Sequence, residues 1–161
     1  MYSLTKPHES TQITTCMRNY TNKKLDQMTI TDGTVGGGGD LVNFSKKFKF
    51  ANGVEINDKN FQVAKQNCMH FNCNNMVLYN EDYTKIYKKL LQDIIFLDPP
   101  WGGPGYRKQD KVHLRIGKYK LDEFINKLID AKITSYIFVK VPINAYLKNI
   151  KYGHFCIIYS L

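Results

Sequence analysis

The residues with the most chemical content fall in two short stretches. In Asp98-Pro99-Pro100-Trp101-Gly102-Gly103-Pro104 a carboxylate precedes two prolines and the only tryptophan of the chain. Proline fixes its own φ and restricts the residue before it, so this segment is expected to be a rigid turn rather than helix or strand. Such a turn would hold an amine by hydrogen bonds to the Asp98 carboxylate and the Pro99 carbonyl, with the flat face of Trp101 beside it. A core position is the other reading of a lone Trp, but its glycine and proline neighbours place it in a loop. The second stretch is Asp32-Gly33-Thr34-Val35-Gly36-Gly37-Gly38-Gly39, an acid followed by a glycine run that lets the backbone turn sharply and approach a ligand where a Cβ would intrude. Its spacing is not that of Gly-x-Gly-x-x-Gly dinucleotide sites, and no Lys-Ser or Lys-Thr follows to make a P-loop. Glu55, an acceptor-only carboxylate, would suit a ribose diol, with a solvated strand end as the alternative.

Short apolar runs alternate with helical patterns along the chain, which predicts an α/β fold with a mostly parallel sheet covered by helices on both faces. A helix is expected around Glu9 to Arg18, in a short N-terminal helical segment spanning about 1–24. A strand from Met28 to Asp32 enters the glycine run, and Asp40 then caps a helix with Leu41, Phe44 and Phe48 on its apolar face. Asn52-Gly53 reads as a turn into a second strand, Val54-Glu55-Ile56, and Asp58 opens a helix carrying Phe61, Ala64, Cys68 and Phe71. A third strand, Met76 to Tyr79, leads through Glu81-Asp82 to a helix with Ile86 and Leu90. Ile94 to Leu97 is a continuous apolar run, the pattern of a central parallel strand, and it ends at Asp98. Tyr106 to Lys120 reads as polar and basic. An amphipathic helix with Leu121, Phe124, Ile125, Leu128 and Ile129 follows, then strands from Tyr136 to Val141 and from Phe155 to Ser160. Ligands of such sheets bind at the carboxyl ends of the strands, where both motifs lie.

The 161 residues fit one domain, and 43% hydrophobic residues give it the material for a core. No run approaches the roughly 20 apolar residues of a membrane span, and the N-terminus lacks the pattern of a signal peptide, so an intracellular protein, nuclear or cytoplasmic, is expected. The cysteines, Cys16, Cys68, Cys73 and Cys156, form no Cys-x-x-Cys pair and read as reduced thiols. Cys68, His70 and Cys73 lack a further ligand cluster to complete a tetrahedral set, so no metal is expected. Twenty-three Lys and Arg against 14 Asp and Glu give a net charge of +9, which favours a polyanion partner but also suits a chain rich in Lys and Asn for compositional reasons.

Asp98-Pro99-Pro100-Trp101 resembles the signature of S-adenosylmethionine-dependent enzymes that methylate amines. The extended Pro-Pro-Trp-Gly-Gly-Pro-x-Tyr, Pro99 to Tyr106, resembles the trimethylguanosine synthase family, as do Ser3-Leu4-Thr5 and the loop from Asp32 to Asp40. The resemblance implies a Rossmann-like class I methyltransferase fold with S-adenosyl-L-methionine as methyl donor, S-adenosyl-L-homocysteine as product and no metal. It further implies that Asp32 and the backbone of Gly36 and Gly38 hold the methionine part of the cofactor, Glu55 its ribose and Asp82 its adenine amine. Asp98 and Pro99 would hold the guanine N2 of a 7-methylguanosine RNA cap, on which Trp101 would stack. Thr5, Tyr106, Arg107, Lys140 and Asn144 would complete the substrate site. Pro142-Ile143-Asn144 stands where the family has Pro-Arg-Asn, so Lys140 or Lys148 would carry the phosphate charge instead. The chain also starts at the catalytic core, without the family's helical extension, so the cap grip is expected to need a protein partner. Two other readings remain: an adenine-N6 or other nucleic-acid amino-methyltransferase, and a cap-binding or scaffold module of the same fold.

Overall fold

A computed structural model describes residues 6–160; Ser3, Leu4 and Thr5 lie outside the described residues. The strands are β1 (Thr29–Asp32), β2 (Phe50–Val54), β3 (Met76–Tyr79), β4 (Ile94–Leu97), β5 (Arg115–Ile116), β6 (Tyr119–Lys120), β7 (Tyr136–Pro142) and β8 (Phe155–Ser160). The helices are α1 (Pro7–Tyr20), α2 (Gly39–Lys47), α3 (Asp58–His70), the single turn α4 (Tyr83–Ile86) and α5 (Leu121–Ala131). Six strands form one sheet in the order β3-β2-β1-β4-β7-β8, parallel throughout. The chain winds outward in one direction from β1 to β3 and in the other from β4, so β1 and β4 flank the switch point where such sheets bind ligands.

The alternation of β4 shows how the layers form. Ile94 and Phe96 join a core with Ile13 and Met17 of α1, Leu41 and Phe44 of α2, and Ala64 of α3. Ile95 and Leu97 join the opposite core with Tyr83, and with Phe124 and Leu128 of α5. Phe44 has no exposed surface and packs edge-on against Phe96 at 5.3 Å; burying such a side chain contributes on the order of 2–3 kcal/mol.

Several expected boundaries move. Asn52 and Gly53 are no turn: both lie within β2, and Glu55 follows the strand. Asn52 is accommodated because its side-chain amide donates to Thr31 Oγ1 at 3.2 Å and to the Leu91 carbonyl at 3.1 Å. Gly53 is needed for packing, since a Cβ there would collide with Leu41. The helix expected through Leu90 stops after α4 and a 3₁₀ turn at Tyr87–Lys89, where the Gln92 side chain takes the Tyr87 carbonyl at 2.7 Å. The basic segment before α5 is not simply solvated. Val112, Leu114 and Ile116 are buried at alternate positions, and β5 and β6 form a small hairpin around Gly117 at φ +51°. The final strand runs parallel to β7, and residues 143–154 give the connection the length a parallel return needs.

Candidate active site

The carboxyl ends of β1, β2, β4 and β7 open on a cavity of about 920 Å³. Its wall includes Gly36, Asp40, Glu55 and Asp82 on one side and Asp98, Pro99, Trp101, Tyr106, Arg107 and Lys140 on the other.

The glycine loop leaves β1 with the Gly33 N–H on the Phe96 carbonyl at 2.9 Å and the Val35 N–H on the Val54 carbonyl at 3.1 Å, so its course is tied to both neighbouring strands. Gly36 has φ +55° with open space where a Cβ would stand. The Glu55 carboxylate accepts the Gly36 N–H at 2.7 Å through Oε2 and the Asn57 N–H at 2.8 Å through Oε1, which locks the loop to the end of β2 and leaves each oxygen a further lone pair. Asp82 caps α4 by accepting the Thr84 N–H at 2.9 Å and its hydroxyl at 2.7 Å, both on Oδ1.

Asp32, Gly38 and Asn144 do not line the cavity. Asp32 is buried beneath the loop, where its Oδ1 accepts the Thr34 N–H at 3.0 Å. Burial and the charge of Asp40, with Asp98 and Glu55 adding, hold its pKa well above the usual carboxylate range. Gly38 is the residue before α2, at φ +88°, and a Cβ there would stand 3.1 Å from Ala64 of α3, so it serves helix packing. The Asn144 side chain donates to the Tyr106 carbonyl at 2.9 Å and the Gln109 carbonyl at 2.8 Å, pinning the segment after the proline turn. Thr5 lies outside the described residues.

Two contributors escaped the sequence reading. Asp40 is not the cap of α2 but lies in its first turn, 6% exposed, with Oδ1 buried and without a hydrogen-bond partner. Its position at the end of the glycine motif was the available signal. Thr34 Oγ1 accepts the Asp98 N–H at 2.7 Å and so joins the glycine loop to the proline turn.

On the other wall, Lys140 Nζ lies 2.9 Å from Asp98 Oδ2 and 5.5 Å from the Trp101 ring centroid, facing the cleft rather than the outer surface. Burial pushes the Asp98 carboxyl up to about 6, with the Lys140 charge and hydrogen bond pulling against it. Burial works against the Lys140 ammonium too, but Asp98, with Asp40 and Glu9 farther off, more than offsets this and raises its pKa. Trp101 packs edge-on with Tyr106 at 5.2 Å, and the Arg107 guanidinium lies 5.8 Å from the Tyr106 ring. Among the described residues no group of three or more His, Cys, Asp or Glu could hold a metal ion, and no helix is long and apolar enough to cross a membrane.

With a parallel sheet whose switch point lies beside a glycine loop and an acid-ended strand, the chain has the Rossmann-like class I methyltransferase fold. It belongs to the RNA cap guanine-N2 methyltransferase family, whose model matches residues 27–157. It is 31% identical over 126 residues to protein L320 of Acanthamoeba polyphaga mimivirus, covering 76% of this chain and 49% of that one. It is 28% identical over 91 residues to trimethylguanosine synthase of Saccharomyces cerevisiae, covering 53% of this chain and 29% of that one. The chain thus spans half or less of these relatives. Among solved structures, an S-adenosylmethionine-dependent O-methyltransferase of Thermotoga maritima superposes with a TM-score of 0.52 at 17% identity, covering 63% of this chain and 38% of that one, a likeness of fold.

Proposed function

We propose that the chain transfers a methyl group from S-adenosylmethionine to the exocyclic N2 amine of a 7-methylguanosine RNA cap. The observation that carries this reading is the Asp98-to-Trp101 turn at the end of β4, which shares one cavity with the glycine loop. The family match and the trimethylguanosine synthase relative support it.

The cavity fits the cofactor on chemical grounds. Asp40 brings a buried oxygen without a partner, Glu55 and Asp82 add carboxylates, and Gly36 leaves open the space a side chain would fill. The ammonium, sulfonium, diol and adenine amine of S-adenosylmethionine are each matched by an acceptor or a negative charge, and its carboxylate would be left to backbone N–H groups of the glycine loop. In this reading the loop at Gly36, with Asp40 and the field of the buried Asp32, takes the methionine part. Glu55 takes the ribose and Asp82 the adenine amine, while Gly38 sets the loop from behind.

When bound, the cofactor supplies an electrophilic methyl and leaves as S-adenosylhomocysteine. Asp98 accepts one N–H of the guanine N2 and the Pro99 carbonyl the other, so the nitrogen lone pair is aimed rather than strongly activated, and positioning supplies most of the rate. The N2 proton released on transfer passes to Asp98, whose pKa of about 6 lets it hand that proton on to water. Trp101 stacks on the cationic 7-methylguanine, a contact worth roughly 0.5–2 kcal/mol. Ile143 is 65% exposed where the family has Arg, so Arg107, on the cavity wall, and the exposed Lys148 serve the cap phosphates.

The test is methyl transfer to 7-methylguanosine cap dinucleotide, guanosine triphosphate and an adenine oligonucleotide, with the methylated atom located by mass spectrometry. Labelling of the cap at N2 is expected. Labelling of adenine would replace this reading with an N6 enzyme, and cap binding without turnover would replace it with a binding module.

A further inference from the structure

Lys140 is out of place by the logic of its strand. It lies in β7 between Val139 and Val141, both fully buried, opposite Ile158 of β8, and is itself only 8% exposed. An ammonium in such a setting is costly unless paired. Its pairing is specific: Asp98 Oδ2 at 2.9 Å, with the Trp101 ring centroid at 5.5 Å, so one cation touches both the carboxylate and the indole of the proline turn. Among the described residues the other charged groups acting on Asp98 are acids, Asp40 from the first turn of α2 and Asp32 at the end of β1, with Glu55 from beyond β2 in the same acidic group.

We propose that Lys140 is a positioning residue for methyl transfer: it engages Asp98 Oδ2, keeps that carboxylate charged among neighbouring acids, and leaves its second oxygen to the acceptor amine. The inference rests on the reading that the amine is held at Asp98. Even with Lys140 in place, burial brings the Asp98 carboxyl up to about 6. Without that cation it would carry a proton in neutral solution and lose its character as an acceptor-only group. Lys140 therefore faces inward as the counter-charge of the acceptor seat, and the cap phosphates fall to other cations.

Trp101 is the only tryptophan, so its emission reports on this cluster in the ligand-free protein without any turnover. Wild-type emission should titrate with an inflection near the Asp98 value of about 6. Lys140→Met should move it up by roughly 1–3 pH units, Lys140→Arg should leave it near its original place, and Asp98→Asn should remove it. In methyl transfer, Lys140→Met should lower kcat/KM for the acceptor by about tenfold at pH 7, recover to within about twofold at pH 9 as Asp98 ionises, and leave cofactor affinity unchanged. Should Lys140→Met not fold, Lys140→Gln keeps a hydrogen bond without the charge and carries the same comparison. An unmoved inflection, or an activity loss equal at every pH, overturns the proposal. A moved inflection with an unmoved activity profile overturns the seat at Asp98 and with it the role in transfer, while the family activity itself stands.

Discussion

The two walls of the cavity handle charge in opposite ways. On the glycine-loop side Asp32 and Asp40 repel one another, Asp40 Oδ1 has no partner, and Glu55 spends both oxygens on backbone N–H groups. On the proline-turn side Asp98 has its counter-ion built in, Lys140 at 2.9 Å. A wall with uncompensated negative charge suits a cationic ligand, whose arrival relieves the repulsion. A wall already neutralised suits a neutral amine, for which geometry matters more than attraction. Under the proposed function, the contrast separates binding the donor from orienting the acceptor.

Substitutions on each wall should therefore fail differently. Asp98→Ala should reduce methyl transfer by roughly 100-fold or more, as expected for loss of a group that orients the reacting atom, with the cofactor Kd from calorimetry changed by less than about twofold. Asp40→Ala should do the reverse, weakening the cofactor by about tenfold while saturating cofactor restores much of kcat. If Asp98→Ala loses the cofactor as well, the two walls act as one unit and the contrast is broken.

Trp101 sharpens the acceptor side. Trp101→Ala should erase the preference for a 7-methylated over an unmethylated cap, a discrimination of about 2- to 30-fold if the cation–π contact is worth roughly 0.5–2 kcal/mol. Trp101→Phe should keep part of it, because a smaller ring still stacks. Competition binding with the two caps measures both. An unchanged preference in the alanine variant would make Trp101 structural, a packing partner of Tyr106 and Lys140.

The sheet and both motifs were legible because their signals are local. Ile94 to Leu97 can hardly be anything but a buried strand, and two prolines after an acid cannot continue it. What stayed hidden depends on contacts distant in sequence. Asn52-Gly53 has the composition of a turn, and only Thr31, Leu41 and Leu91, brought together by the fold, make it strand. Val112, Leu114 and Ile116 alternate as strand residues do, but the surrounding lysines masked the pattern. Lys140 was legible as a substrate-site charge for the cap phosphates, but only the parallel pairing of β4 with β7 sets it beside Asp98. Asp40 was legible as a helix-start acid, but not as the partnerless oxygen in the cavity wall.

Crowding of acids on the donor side should show in stability. The Asp32 carboxyl lies above its ordinary value near 3.8, chiefly through burial, so the folded chain binds this proton more tightly than the unfolded chain does. Its contribution is then fully favourable below the unfolded pKa and is lost as pH rises through the folded one. Asp98 behaves alike between 3.8 and about 6. The ligand-free protein should lose stability as pH climbs through this window, and Asp32→Asn should flatten the loss and raise Tm at pH 7 by about 3–6 °C, from roughly 1–2 kcal/mol in a domain of this size. The same variant should bind the cofactor several-fold more weakly. Thermal melts from pH 4 to 8 check the sign; a lower Tm at pH 7 would mean the loop needs the Asp32 charge even when empty.

The smallest effect is expected at the rim. Arg107, Lys108 and Lys111 are exposed just beyond the proline turn, and Asn144 pins their segment through the Tyr106 and Gln109 carbonyls, so these cations follow the acceptor wall rather than the donor wall. Cations that meet cap phosphates release counterions, and acceptor binding should weaken as salt rises, whereas a cofactor enclosed among the acids of the other wall should respond little. Each neutralised contact should reduce the slope of log K against log salt by a little under one unit, so the triple alanine variant should flatten it by about two to three. Folding should hardly change, since substitutions at such exposed positions usually alter stability by less than about 0.5 kcal/mol. Titrating cap dinucleotide and cofactor separately, at several salt concentrations and in both proteins, gives the four slopes required. An acceptor slope that stays steep in the triple variant would assign the phosphates to Lys148, exposed with Nζ 5.0 Å from the Tyr146 ring that Lys111 also faces at 4.8 Å.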